Sequence, residues 1–383
     1  MHVLKTRISW LATAFFALFI FAAASYYTGL VQIVNFELSP KSQLLIRLSQ
    51  INEDIKTVSA ESSSTLVLRV SVRNKQGDPV PGARVSMSVT DRLGSFDPKN
   101  FRTDSRGEFL VTYIPPAIPG EQLGKDGKSV TLTGSIGNSD ISSSLSVTLA
   151  KVPIIMVHGY QENAHVFDNM KEYFLQKGYA VSAIDYSSPT GVVASSNALK
   201  DFMSQQKKYY LSKGFYTGKF DLITHSMGGL IARYYSSSLD YLYREDINKL
   251  IFISVPHKGS PWASIGATYF TDQGISDLTP DNPLISQILP SMLNKGLNGS
   301  IQVGNIMVEY DEVVSPESAS LSEWNIKTEV FNVGGSNFSM QNLLSGDLLN
   351  APNHKNILSN KKAFEVVEGM LNTDLPYPAV KNR

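Results

Sequence analysis

The chain has 383 residues, which suits two domains, and its 42% hydrophobic and 18% charged residues predict a globular protein with a sizeable core. Lys and Arg together number 34, as do Asp and Glu, so the net charge is zero; with no basic run or zinc-ligand pattern, this argues against a nucleic-acid partner. The absence of cysteine excludes structural disulfides, a thiol nucleophile, cysteine-ligated zinc and a cysteine for lipid attachment.

Residues 1–35 predict a membrane-directed segment. Lys5 and Arg7 precede a long apolar run that begins at Ile8. A cleaved signal peptide would use the small residues Ala22–Ala24 as its cleavage site, whereas a retained anchor would use the whole stretch. The apolar character continues past these alanines, which favours the transmembrane anchor. In both interpretations the rest of the chain is extracytoplasmic, either membrane-anchored or secreted.

The next segment, residues 36–62, has a helical apolar period. Its apolar side chains recur at spacings of four, three and four residues, at Leu44, Leu48, Ile51 and Ile55. This stripe predicts a helix that forms a stalk or packs on the following domain.

Residues 63–150 change to the two-residue period of half-buried strands. Apolar and polar residues alternate in five segments that begin near Leu66, Val85, Phe109, Val130 and Leu145. Turn-forming residues separate them, which predicts an antiparallel β-sandwich. Gly77–Val85, followed by Thr103–Gly107, resembles the bacterial Ig-like domains of the invasin and intimin kind. The resemblance implies a spacer or an adhesive module, whose protein partner the sequence does not identify.

Residues 151–383 alternate apolar runs with amphipathic segments, which predicts an α/β domain with a mostly parallel sheet covered by helices on both faces. We expect strands at 154–157, 180–186, 220–224, 250–255, 306–310 and 330–333. We expect helices around 166–174, 199–210, 227–238 and 361–371. The preceding segment ends without a Gly/Ser-rich linker, so the two domains are expected to abut.

The sharpest motif is Thr224-His225-Ser226-Met227-Gly228-Gly229, between an apolar strand and a helix. A serine that merely caps a helix is the alternative interpretation. The motif resembles the nucleophile elbow of the α/β-hydrolases, with Thr224 in place of the first glycine. The resemblance to lipases and esterases extends over residues 152–372. It implies that Ser226 is the nucleophile, since small neighbours allow the sharp turn that exposes it.

A second motif, His158-Gly159-Tyr160, follows the first strand of this domain and resembles the His-Gly oxyanion loop of lipases. The resemblance implies that the backbone N–H groups of Tyr160 and Met227 bind the oxyanion. Gln161 is the alternative to Tyr160 as donor. An ordinary glycine turn after a strand is the other interpretation.

A nucleophilic serine needs a base and an acid that orients it. The chain has six histidines: His2, His158, His165, His225, His257 and His354. Elimination and position favour His354, in the loop before the last helix, where the family places its base. Asp311, which follows an apolar strand and precedes Val313-Val314, resembles the family's acid, with Glu309 and Glu312 as rivals. The order Ser226, Asp311, His354 matches the α/β-hydrolases.

The apolar segment 283–293 lies in an insertion between His257 and Ile301, and is either a cap over an acyl pocket or a packed surface helix. The chemistry implied by the resemblance needs no cofactor, and the sequence has no ligand cluster that compels a metal ion. Since the candidate catalytic residues all lie beyond residue 150, removal of residues 1–59 is expected to leave activity intact.

Three functions follow from these motifs. The first is an exported, membrane-tethered serine hydrolase of lipase or esterase type, acting on an acyl ester or lipid through an acyl-enzyme. The second is an acyl hydrolase of a thioester, a polymer ester or an envelope glycolipid. The third is an adhesion or scaffold protein with an inactive hydrolase fold.

Overall fold

The computed structural model describes residues 44–51, 54–137, 139–333 and 352–380. The transmembrane anchor or signal peptide predicted over residues 1–35 lies outside these ranges. Among the described residues, no helix combines the length and the apolar character that crossing a membrane requires.

The strands form three sheets. Their bounds are β1 Leu45–Gln50, β2 Thr57–Ser59, β3 Leu66–Arg73, β4 Val85–Val89, β5 Ser95–Asp97, β6 Glu108–Ile114, β7 Lys128–Ile136, β8 Ser142–Ala150, β9 Ile154–Val157, β10 Val181–Ile184, β11 Phe215–Tyr216, β12 Phe220–His225, β13 Ile247–Ile253, β14 Gln302–Val308 and β15 Glu329–Phe331.

Helices occur mainly after β9. The α-helices are α1 Gly120–Leu123, α2 Asp168–Gln176, α3 Val192–Ser212, α4 Met227–Ser237, α5 Pro261–Gly266, α6 Gln273–Asp277, α7 Leu289–Ser291, α8 Pro316–Ala319, α9 Pro352–Asn356 and α10 Lys361–Asn372. Short 3-10 helices span Thr90–Arg92, Ala164–Phe167, Ser188–Thr190, Leu239–Tyr243, Leu293–Gly296, Ser322–Trp324 and Ile357–Ser359, and a π-helix spans Leu284–Ile288.

The first domain is a two-sheet β structure, as the alternating pattern predicts. One sheet has the order β1-β3-β6-β5 with antiparallel neighbours, and the other has the order β11-β2-β8-β7-β4. Along β3, Leu66, Leu68, Val70 and Val72 are buried, whereas the residues between them, Val67 included, are exposed or half-buried. All five predicted strand segments are present, because the two-residue period sends alternate side chains into one shared core.

The predicted helical stalk is wrong. Residues 45–50 form β1, which pairs with β3 so that Leu48 lies opposite Val70, and residues 57–59 form β2 beside β8. The side-chain amide of Gln50, at the end of β1, accepts the N–H of Ile55 and donates to its carbonyl oxygen. The four apolar residues have a helical spacing, but they do not form one buried face. Leu48 and Ile55 are buried in the core of the β domain, among residues distant in sequence, whereas Ile51 is 40% exposed.

The two domains are in direct contact, as expected from the absence of a linker. Strand β11 of the second domain pairs in parallel with β2 of the first, and Ser59 donates to Thr217 Oγ1 at 2.8 Å. The Lys151 ammonium, at the junction, donates to the carbonyl oxygen of Lys177 at 2.6 Å. Removal of residues 1–59 would delete β1 and β2, so the expectation that such a chain stays active loses its structural basis.

The second domain contains a parallel sheet with the order β10-β9-β12-β13-β14-β15. Apolar clusters cover both of its faces, and the residues of β9 and β12 are buried throughout. All six predicted strands and all four predicted helices are present. The carboxyl ends of parallel strands meet at one edge, so loops distant in sequence come together there.

Replacing Leu48 by alanine should lower the free energy of unfolding by roughly 2–5 kcal/mol, because its side chain is 7% exposed within the β core. Ile51→Ala should cost less, about 0.5 kcal/mol, since that residue is already 40% exposed. Urea unfolding of both variants measures the difference. Equal losses would instead support the helical stripe, on which both residues share one face.

Candidate active site

Ser226 lies at the junction of β12 and α4, in a strained backbone conformation. Its φ is +52° and its ψ is −126°, a region that non-glycine residues rarely adopt. The N–H of Ser226 donates to the carbonyl of Ile253 in β13 at 3.0 Å, which ties the turn to the neighbouring strand. This is the geometry of the predicted elbow, and it points the side chain out of the strand-to-helix path.

Glycines allow α4 to approach the sheet behind Ser226. A Cβ on Gly228 would collide with the carbonyl oxygens of Val157 and His158, and one on Gly229 with the side chain of Val255. Thr224, which replaces the usual first glycine, is fully buried and donates its hydroxyl to the carbonyl of Ile251 at 3.1 Å. The β-branched residue is accommodated because it lies within β12, before the turn begins.

Asp311 and His354 form a buried hydrogen-bonded pair, as predicted. Nδ1 of His354 lies 2.9 and 2.8 Å from the two carboxylate oxygens of Asp311. His354 is within α9, a short helix where the sequence predicted a loop. It lines the same cavity as Ser226, although the serine hydroxyl makes no hydrogen bond to it within the described residues. Such hydrogen bonds are often long without substrate.

The pair has shifted pKa values. Burial would raise the pKa of Asp311, but His354 and the backbone N–H groups of Val313 and Val314 outweigh it and lower the pKa below its usual value. Burial would lower the pKa of His354, but the Asp311 carboxylate outweighs it and raises that pKa. Asp311 therefore stays ionised and stabilises the imidazolium of His354.

The two rival carboxylates have other partners. Glu312 accepts the backbone N–H groups of Asn353 and His354, both at 3.0 Å, and so fixes the main chain at His354. Glu309 accepts from the side-chain amide of Asn332 at 2.7 Å. Of the three candidates, Asp311 is the carboxylate that contacts the His354 ring.

In the loop after β9, the N–H groups of Gly159 and Gln161 have acceptors, whereas that of Tyr160 has none among the described residues. Gln161 donates its N–H to Ser188 Oγ at 2.7 Å, which removes it as the alternative oxyanion donor. The N–H groups of Tyr160 and Met227 have no acceptor among the described residues. Tyr160 lines the cavity with Ser226, and Met227 begins α4. Both groups remain able to donate to an incoming oxygen.

Three of the remaining histidines have structural or surface positions. His158 is buried, contacts the carbonyl of Gly159 through Nδ1 and stacks on Tyr186, with 4.1 Å between ring centroids. His165 is exposed and pairs with Asp168 at 3.1 Å. His257 is buried beside Arg233, whose guanidinium donates to its carbonyl at 3.0 Å. His2 lies outside the described residues.

Sequence reasoning missed Glu162, which contacts both the loop after β9 and the residue before Ser226. Its Oε2 accepts the N–H of Gly159 at 2.7 Å and lies 3.0 Å from Nδ1 of His225. Burial would raise its pKa, but His225 and the Gly159 N–H outweigh burial and lower it to about 2. The signal available in the sequence was its position, three residues after the Gly159 of the motif.

An apolar cavity of about 380 Å³ adjoins Ser226 and His354. Its wall comes mainly from α5, α6 and the loop between them, including Trp262, Ala263, Tyr269, Phe270, Ile275 and Leu278. The Tyr160 hydroxyl donates to Asp272 at 2.5 Å and joins this wall to the loop after β9.

Segment 283–293 was predicted to be either a cap over an acyl pocket or a packed surface helix, and the structure favours the packed element. Leu284 and Leu289 are buried in the core of the second domain, and the segment does not line the cavity beside Ser226. It is therefore a packed element, and the wall of the cavity comes from residues 261–278 instead. Within the described part of the chain, no cluster of three or more His, Asp or Glu side chains is placed to hold a metal ion.

Residues 151–240 match the family model of class 2 lipases. The matched segment contains the loop after β9 and the elbow at Ser226, and it ends before Asp311 and His354. The predicted resemblance to lipases of α/β-hydrolase type is confirmed over this segment. No curated protein matches the chain.

Several solved structures are similar to parts of the chain. The propeptide form of the Bacillus licheniformis lipase BlEst2 is 15% identical, with 61% of this chain and 52% of that chain covered and a TM-score of 0.44. Aspergillus fumigatus lipase B is 17% identical, with 59% and 54% covered and a TM-score of 0.43. The D00-D0 domain of intimin is 14% identical, with 28% and 48% covered and a TM-score of 0.22. The chain thus spans about half the length of these structures.

The carboxylate of Asp311 should determine the titration of His354. In the wild type, the midpoint of the His354 ring signals in an NMR pH titration should lie above about 6.5. Asp311→Asn should lower this midpoint, because the hydrogen-bonded anion is lost while burial remains. Glu309→Gln, which removes a nearby carboxylate bonded to Asn332, should leave it in place. A midpoint that moves equally in both variants would contradict the assignment.

Proposed function

We propose that the protein is a serine hydrolase of lipase or esterase type that cleaves carboxylic esters through Ser226, His354 and Asp311. The observation that carries the proposal is the buried Asp311–His354 pair beside a strained serine at an apolar cavity. The class 2 lipase match over residues 151–240 supports the same reaction class.

In the proposed mechanism, Ser226 Oγ attacks the acyl carbonyl while Nε2 of His354 accepts its proton. Asp311 orients the ring through Nδ1 and stabilises the imidazolium. The N–H groups of Tyr160 and Met227 donate to the oxyanion, for which each donor typically contributes about 3 kcal/mol. His354 then returns the proton to the leaving alcohol, and water releases the acyl group from Ser226. Since only neutral His354 accepts a proton, kcat/KM should fall as the pH drops through its raised pKa.

The proposed substrate has an apolar acyl group. Aromatic and aliphatic side chains such as Trp262, Phe270 and Leu278 line the cavity, and such a wall buries hydrocarbon favourably. The same cavity would accept the acyl part of a thioester or an envelope glycolipid, so the leaving group distinguishes these substrates. The rates of hydrolysis of an oxygen ester and a thioester with the same acyl chain, measured for several chain lengths, distinguish these leaving groups.

Replacing Ser226 by alanine should reduce the hydrolysis of p-nitrophenyl esters by about a millionfold in kcat, because the nucleophile is lost. Asp311→Asn should reduce kcat by about 10⁴-fold, since the amide no longer orients His354. A fluorophosphonate probe should label the wild type at Ser226 and leave Ser226→Ala unlabelled.

Ser212→Ala, at the exposed end of α3, is the matched control and should retain full activity. Folded wild-type protein without hydrolysis or labelling would contradict the proposed mechanism and favour the scaffold function. Labelling without ester hydrolysis would favour an acyl hydrolase with another substrate.

The proposed location is extracytoplasmic, with residues 1–35 as the membrane tether and the β domain as a spacer. The full chain, expressed in a bacterium, should enter the membrane fraction and be digested by protease added to spheroplasts. A chain that begins at residue 36 should stay in the cytosol, because it lacks the positive charges and apolar run that direct export. A soluble, protease-protected full chain would contradict the proposal, and a mature protein that begins after Ala24 would identify a cleaved signal peptide.

A further inference from the structure

A second buried carboxylate–histidine pair lies beside the proposed triad, and the mechanism above does not use it. His225 is fully buried, the Glu162 side chain is 5% exposed, and Nδ1 lies 3.0 Å from Oε2. Removing groups of this kind from water is unfavourable, so a buried pair needs good geometry and further hydrogen bonds to persist. Both partners of the pair have such bonds.

Each partner of the pair holds a different loop. Glu162 accepts the N–H of Gly159, the residue before the proposed donor Tyr160. Nε2 of His225 lies 3.1 Å from the carbonyl oxygen of His354, and the two imidazole centroids are 4.6 Å apart. The pair therefore links the oxyanion loop, the residue before the nucleophile and the main chain of the base.

The positions of the protons make this link specific. A carbonyl oxygen only accepts, so Nε2 of His225 carries a proton and donates to His354. Nδ1 faces a carboxylate oxygen, so a second proton lies between that nitrogen and Oε2 of Glu162. The pair as a whole is then neutral, and both of its outer hydrogen bonds are satisfied. Loss of the shared proton would turn this contact into a repulsive one.

We propose that Glu162 and His225 are positioning residues, which keep the Tyr160 N–H and Nε2 of His354 in register with Ser226. The inference rests on the proposed function, because it concerns the geometry of that reaction. Gly159 leaves little room for adjustment, since a Cβ there would lie 2.8 Å from Oε2 of Glu162 and 3.0 Å from Cβ of Ser226. A displacement of about 1 Å at a site of this kind typically reduces the rate by about 100-fold.

The test compares Glu162→Gln, His225→Asn and the double variant with the wild type on a short-chain p-nitrophenyl ester. Each single variant should lose on the order of 100-fold in kcat with KM changed less than about threefold, because substrate contacts remain and the reacting groups shift. The double variant should lose no more than either single one, since one link is broken in all three.

An exposed pair of the same chemistry supplies the matched control. His165 and Asp168 lie 3.1 Å apart with side chains 82% and 64% exposed, and they touch no part of the site. His165→Asn and Asp168→Asn should retain wild-type kcat. Titration with a fluorophosphonate counts competent Ser226 in each variant, so kcat refers to active molecules only.

Wild-type kcat in a folded Glu162→Gln or His225→Asn variant would overturn the proposal, as would multiplicative losses in the double variant. Two further results are a variant that keeps wild-type kcat per labelled molecule but contains fewer molecules that label at Ser226, and failure of every variant to fold. Either result would assign the pair to fold stability and would also overturn the proposal. A wild type that neither hydrolyses esters nor labels at Ser226 would instead contradict the proposed function.

Discussion

The site depends on the backbone of Ser226, which β12 and α4 hold at a φ of +52°. A non-glycine residue in this region costs of order 1–3 kcal/mol, which the surrounding structure must offset. Several contacts do so here: the hydrogen bond to β13, the buried strand before the turn, and the close seating of α4 that Gly228 and Gly229 permit. Moving this turn would displace the serine, the N–H of Met227 and His225 together.

Carboxylates hold the loops that surround the turn. Asp311 accepts two N–H groups of its own loop as well as the His354 ring, Glu312 accepts two from α9, and Glu162 accepts one from Gly159. Charge-assisted bonds of this kind are stronger than bonds between neutral groups, so they fix short loops that have little core of their own. Asp311, Glu312 and Glu162 therefore contribute to the backbone geometry of the site as well as to its charge.

The β domain is joined to the second domain by strand pairing rather than by a flexible linker. The pairing of β11 with β2 extends a sheet of the first domain with residues from the second. An unpaired strand edge tends to associate with other chains, and this arrangement covers one side of β2. It also means that residues 57–59 contribute to the fold of both domains, although they precede every element of the parallel sheet.

The sequence by itself determined the features that local patterns encode. The periods of two and 3.6 residues located the strands and helices, and the strand–Ser–Gly–Gly turn located Ser226, because these signals lie within a few neighbouring residues. Asp311 and His354 were predicted from family resemblance and position, and the hydrogen bond between them is present.

Tertiary structure decided what depends on distant partners. Leu44–Ile55 carries a helical spacing, but pairing with β3 makes residues 45–50 a strand. Segment 283–293 was as apolar as a cap, yet it packs in the core, and residues 261–278 line the cavity. Glu162 had no motif of its own, since its partners Gly159 and His225 meet only when β9 and β12 lie side by side. Burial and hydrogen bonding between residues far apart in the chain arise from the fold, and no local period records them.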